Sequence, residues 1–115
     1  MEKVTVALGG DSLVLAGVAA LLASDERFRL VITDIEEQGI VARLEATSAH
    51  VLIVDLNVVP AEEALALVRR CHDLTLIGLD PGGGQLVVVS GERTQHLGML
   101  DLVGLIEQGA GIAAS

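Results

Sequence analysis

Val51-Leu52-Ile53-Val54-Asp55 is four aliphatic side chains in succession closed by a carboxylate. A run without alternation is what a strand covered on both faces requires, since one solvated face would select polar residues at every second position. The abrupt change at Asp55 places that residue at the strand's C-terminal end. Upstream, residues 4–8 form a β-branched run that breaks at Gly9-Gly10-Asp11-Ser12 before three turns of apolar sequence in which Leu13, Gly17, Ala20 and Leu21 suit a buried helix face, which reads as strand, glycine turn and helix. Asp11 or Ser12 offers the cap oxygen for that helix. Residues 28–33 resume extended spacing as a second strand, and residues 34–38 open a second helix whose Ile40, Val41 and Leu44 form one stripe.

Downstream of Asp55 the signals are sharper. Pro60 suits a first helical turn, Glu62 and Glu63 complement the positive helix N-terminus, and Arg69 and Arg70 complement the negative C-terminus near Cys71. Residues 75–79 form a fourth strand. The β-α-β-α-β-α-β order predicts an α/β fold: a doubly wound three-layer sandwich on a mostly parallel, flavodoxin-like sheet with right-handed crossovers. Only Asp80-Pro81-Gly82-Gly83-Gly84-Gln85 then separates the fourth strand from residues 86–89. A parallel return takes a dozen or more residues, so this return is antiparallel and an edge hairpin stands where a fourth helix would be. Residues 94–97 give a short last strand, and residues 99–108 a last helix capped by Gly109. The expected organisation is one domain over residues 1–109 with a frayed tail at 110–115.

Composition narrows the function. Of 115 residues, 7 are basic and 16 acidic, for a net charge of −9. Nucleic acid is not an expected partner, because backbone binding through counterion release needs a basic patch. The chain is 51% hydrophobic and 20% charged, which excludes intrinsic disorder. Phe28 is the single aromatic residue, so no stacking platform exists. Cys71 has no disulfide partner, and His50, His72 and His96 lack the spacing of a zinc site, so a cytoplasmic protein is expected. Residues 13–23 are too short for a membrane span, and Glu2 with the Gly9-Gly10 interruption breaks the order of a secretory signal.

The segments V-T-V-A-L-G-G-D-S-L-V-L-A-G-V-A-A-L-L, from Val4, and A-H-V-L-I-V-D-L-N-V-V-P, from Ala49, resemble response-regulator receiver domains over residues 3–80. The resemblance implies a phospho-acceptor at Asp55. The family's acidic Mg²⁺-binding pair falls on Gly9 and Gly10, with Asp11 one step late, and its strand-4 hydroxyl position falls on Asp80. The family's strand-5 lysine has no counterpart: the one lysine in the chain is Lys3, at the start of the first strand. These departures describe a degenerate receiver, a pseudo-receiver that works as a stand-alone regulatory or protein-interaction module without phosphorylation.

Three other readings compete. Asp55 accepts phosphate, with Mg²⁺ held through Asp11 and Asp55; no other cofactor is expected. The Gly9-Gly10 turn cradles a small anion or nucleotide at a helix N-terminus, although it lacks the third glycine of a dinucleotide fingerprint and the lysine of a P-loop. Asp11, Asp34, Asp55 and Asp80 share the C-terminal strand edge, where a metal-dependent hydrolase would gather carboxylates, yet no base, arginine clamp or catalytic pair accompanies them, and an enzyme is not expected. Cys71 and His72 read as a core thiol and a helix-dipole partner. The partner is expected to be protein. A homodimer follows if losing a covering helix leaves Leu86, Val88, Leu97, Met99 and Leu100 as an apolar patch.

Overall fold

The computed structural model describes residues 4–10, 12–33, 39–71, 74–80, 82 and 84–90, together with the backbone of 93–98. Six strands and three helices follow in the order β1 (Val4–Gly9), α1 (Leu13–Ala23), β2 (Phe28–Thr33), α2 (Ile40–Ala46), β3 (Val51–Asp55), α3 (Ala61–Arg70), β4 (Thr75–Asp80), β5 (Gln85–Ser90) and β6 (Arg93–Gly98). They build one sheet of order β2-β1-β3-β4-β5-β6. The first four strands are mutually parallel, and β5 and β6 are antiparallel to their neighbours. The chain is therefore α/β with a mostly parallel sheet, compatible with a flavodoxin-like fold, whose strand order 2-1-3-4-5 it shares.

All five residues of β3 are buried. Val51 and Ile53 join Leu15, Val18 and Leu22 of α1 on one face, while Leu52 and Val54 join Ile40 and Leu44 of α2 and Ala64, Leu67 and Val68 of α3 on the other. The period-2 alternation of a strand thus divides one aliphatic run between two cores, and helices cover both faces.

The local signals act as physics requires. Ser12 Oγ accepts the Leu15 amide at 3.1 Å and caps α1. Helix α2 begins at Ile40 behind Gly39, whose φ of 82° suits glycine; residues 34–38 lie outside the described residues. In α3, Pro60 occupies the N-cap, Glu62 and Glu63 the first turn, and Arg69 and Arg70 the last. The β4–β5 hairpin pairs Asp80 with Gln85 and Thr75 with Ser90, as the short connection demanded, and Gly84 at φ 65° helps turn the chain. The last helix and tail expected at 99–115, like Asp11, His72 and the side chain of His96, fall outside the described residues.

Two findings depart from the sequence reading. Helix α1 buries Leu15, Val18 and Leu22, and the expected face of Leu13, Gly17, Ala20 and Leu21 is exposed instead, Leu13 at 90%, because a helix that is apolar all round has no marked side for the sheet to select. The sheet surface at Leu86 and Val88, in contrast, is covered within a single chain, at 0% and 8% exposure. Those two side chains therefore do not supply the exposed patch from which a dimer was expected. Met99 and Leu100 and the side chain of Leu97 lie outside the described residues.

His50 ties three strands together at the N-terminal edge of the sheet. Its amide donates to Thr5 O at 2.9 Å, its carbonyl accepts the Thr75 amide at 3.0 Å, and its Nδ1 accepts the Thr5 amide at 3.1 Å. Thr5 is buried, so removing the ring leaves a backbone donor without water or protein to meet it. His50→Ala is expected to lose about 1–3 kcal/mol in urea denaturation, and His50→Asn, which restores an acceptor, is expected to recover part of that loss.

Candidate functional site

Asp55 ends β3 at the C-terminal edge of the sheet and is 4% exposed. Its Oδ1 accepts the Asn57 amide at 2.9 Å, and its carbonyl accepts the amides of Val58 and Val59, each at 2.9 Å. The residue thereby folds its own loop, the local turn that aspartate side chains commonly stabilise. The Leu56 amide donates to Leu79 O at 2.9 Å and carries the β3–β4 ladder one step beyond Asp55. The Leu56 side chain lies over Gly78, where an added Cβ would meet Leu56 Cδ2 at 3.0 Å and Cγ at 3.1 Å. Glycine in the middle of β4 thus makes room for the loop that follows Asp55.

The other expected site residues gather at the same edge. Gly9 is buried in β1 opposite Thr33, and Gly10 follows with φ 127° and its amide donating to Leu8 O at 3.1 Å. With Gly10 turned inward and Ser12 capping Leu15, the turn directs neither of these groups at an anion. A cleft of about 200 Å³ beside it is lined by Leu8, Leu15, Ala16, Ala19 and Ile32, apart from Gly10 and Ser12, a surface that suits an aliphatic group better than a phosphate. The buried Thr33 Oγ1 has no hydrogen-bond partner among the described residues. Ile32 lines the α1 cleft, and strand alternation turns the next residue, Thr33, to the opposite face, away from this turn. Asp80 ends β4 half-buried, with its Oδ1 3.7 Å from where a Cβ on Gly82 would stand, and so lies along its own hairpin. Asp11 and Asp34 lie outside the described residues, among which no group of three metal-ligating side chains forms.

The antiparallel return also decides where β5 ends. Because β5 runs against β4, its last residue, Ser90, pairs with Thr75 at the edge opposite Asp55. Two large aliphatic side chains instead flank Asp55's edge: Leu13, at the start of α1, and Val58, 63% exposed, in the loop after β3.

No family model, curated protein or solved structure matches this chain. Among the described residues no helix is long and apolar enough to cross a membrane.

The sequence reading missed a second place of interest. At the N-terminal edge, a cleft of about 600 Å³ brings together Glu45, His50, Arg70 and Cys71. Burial pushes the Cys71 thiol up from its ordinary value and Glu45 adds to the effect, so this thiol is held protonated and is a poor nucleophile. The four residues come from the ends of two helices and the lead into β3, and no short-range spacing announces them.

The Gly78–Leu56 contact is open to test. Gly78→Ala is expected to push Leu56 aside and shift the amide resonances of residues 55–59, with a stability change within about 1 kcal/mol because the displaced atoms belong to a half-buried side chain. Adding Leu56→Ala is expected to return those resonances toward their wild-type positions.

Proposed function

We propose that this chain is a degenerate receiver-like regulatory module that acts by binding protein, without phosphorylation. The observation that carries the reading is the state of Asp55: its carboxylate is buried and bonded to the Asn57 amide, at an edge where Gly9 and Gly10 stand in place of the receiver's acidic pair. Phosphoryl transfer builds negative charge that a metal ion and a cationic side chain must offset. Lys3 is the only lysine of the chain and precedes β1 in the sequence, whereas Asp55 closes β3. The β4–β5 hairpin, in this reading, replaces the fourth helix of the family and carries the end of β5 away from Asp55.

Exposed aliphatic side chains at that edge support a protein partner, since large apolar groups held in water favour an interface. Leu13 and Val58 are the residues concerned, extended along the outer side of α1 and β2 by Leu21 and Ile32. A cytoplasmic location and self-association as a twofold pair belong to the same reading.

Incubation with Mg²⁺ and acetyl phosphate is expected to leave the intact mass unchanged. A gain of about 80 Da, one phosphoryl group, that disappears in Asp55→Asn would instead make Asp55 a working phospho-acceptor. Sedimentation velocity at micromolar concentration is expected to show a dimer that Leu13→Glu returns to monomer; a wild-type monomer would remove self-association from the reading.

A further inference from the structure

The cleft at the N-terminal edge lies between the C-terminal ends of α2 and α3, at the opposite end of the sheet from Asp55, and its argument is independent of the receiver reading. Its volume of about 600 Å³ falls within the range of roughly 300–1,000 Å³ usual for small-molecule sites. Leu44, Ala49, Cys71 and Leu74 supply an apolar lining. Four polar residues, Glu45, Ser48, His50 and Arg70, share that lining with them.

His50 is fixed in place by the Thr5 amide on Nδ1. An accepting Nδ1 carries no proton, so the ring's proton sits on Nε2, and this N–H is what the ring offers to the cleft. Arg70, the last residue of α3, keeps an exposed guanidinium with no partner among the described residues. Its position complements the helix dipole, but that interaction leaves the donor fork available. Glu45, near the end of α2, is exposed as well and makes no ion pair among the described residues. It stands close enough to Cys71 to disfavour a thiolate.

An acid and a base that line one apolar cleft without closing on each other call for a ligand carrying both complementary charges. A simple anion would meet Glu45 in a chain of net charge −9, and a simple cation would meet Arg70. A zwitterion meets neither objection. We propose that this cleft binds a free α-amino acid with an aliphatic side chain. Its carboxylate is held by Arg70 and the His50 Nε2–H, its ammonium by Glu45, and its side chain by Leu44, Ala49 and Leu74. Ser48 completes the rim with a left-handed backbone, φ 54°.

The test is calorimetric titration of the full chain with L-leucine, L-isoleucine and L-methionine. At least one is expected to bind saturably at millimolar concentration or below, with amide shifts centred on Ala49 and Leu74. Arg70→Gln and Glu45→Gln, both at exposed positions, are each expected to weaken binding roughly tenfold or more while circular dichroism stays unchanged. Isopentylamine, which lacks the carboxylate, and 4-methylpentanoate, which lacks the ammonium, are expected to bind at least as weakly as the variants bind leucine. Asp55→Asn is expected to bind as wild type does, which separates this outcome from that of the receiver reading. Absence of binding by all three amino acids at millimolar concentration overturns the proposal. So do shifts centred elsewhere, affinity indifferent to both substitutions, or 4-methylpentanoate binding as tightly as leucine.

Discussion

The double-sided burial of β3 is the constraint on which the rest of the structure depends. Its aliphatic residues cannot meet water on either face, so the chain must place helices above and below, and strands on either side must satisfy its backbone. Parallel crossovers follow, since a helix that covers one face returns the chain to the same end of the sheet. The same constraint creates a common C-terminal edge. Asp55 is the first residue of β3 that an edge can hydrate, yet its loop folds back, seats Leu56 over Gly78 and encloses the carboxylate.

Reversal of the chain at β5 then gives the two edges different characters. Around Asp55 the polar groups are largely engaged with their own backbone: Gly10 with Leu8, Ser12 with Leu15, Asp55 with Asn57. The large aliphatic side chains exposed there are Leu13 and Val58. At the other end, helix C-termini and the strand starts leave a cleft whose acid, base and imidazole donor are not paired with one another. An edge with its hydrogen bonds closed and its apolar groups exposed is suited to a protein surface; an apolar cleft with open polar groups is suited to a small molecule.

Helix α1 illustrates how an apolar composition can mislead. Its sequence LVLAGVAALLA is apolar on every side, so the face of Leu13, Gly17, Ala20 and Leu21 reads as fit for burial, but the helix lies on one face of the sheet and directs Leu15, Val18 and Leu22 inward. The opposite error applies to Leu86 and Val88. Strand residues that sequence alone left uncovered are enclosed, because alternation turns both to the face whose core α1 shares.

By itself the sequence determined the element order, the α/β class and the sense of the β4–β5 pairing. These rest on local causes: unbroken aliphatic runs, the charge distribution from Glu62 to Arg70, and a connection between Asp80 and Gln85 too short for a crossover. It also showed that the chain has a single lysine, Lys3, ahead of the first strand, because the scarcity of a residue type needs no structure to be noticed. Tertiary structure alone decided which side of α1 faces the sheet, since a helix with no polar residue has no marked face. It decided that the Asp55 carboxylate turns to Asn57, that Gly78 leaves room for Leu56, and that Glu45, His50 and Arg70 meet around one cleft. Those contacts join residues from separate elements, and their geometry depends on how the helices settle on the sheet after the local pattern has been set.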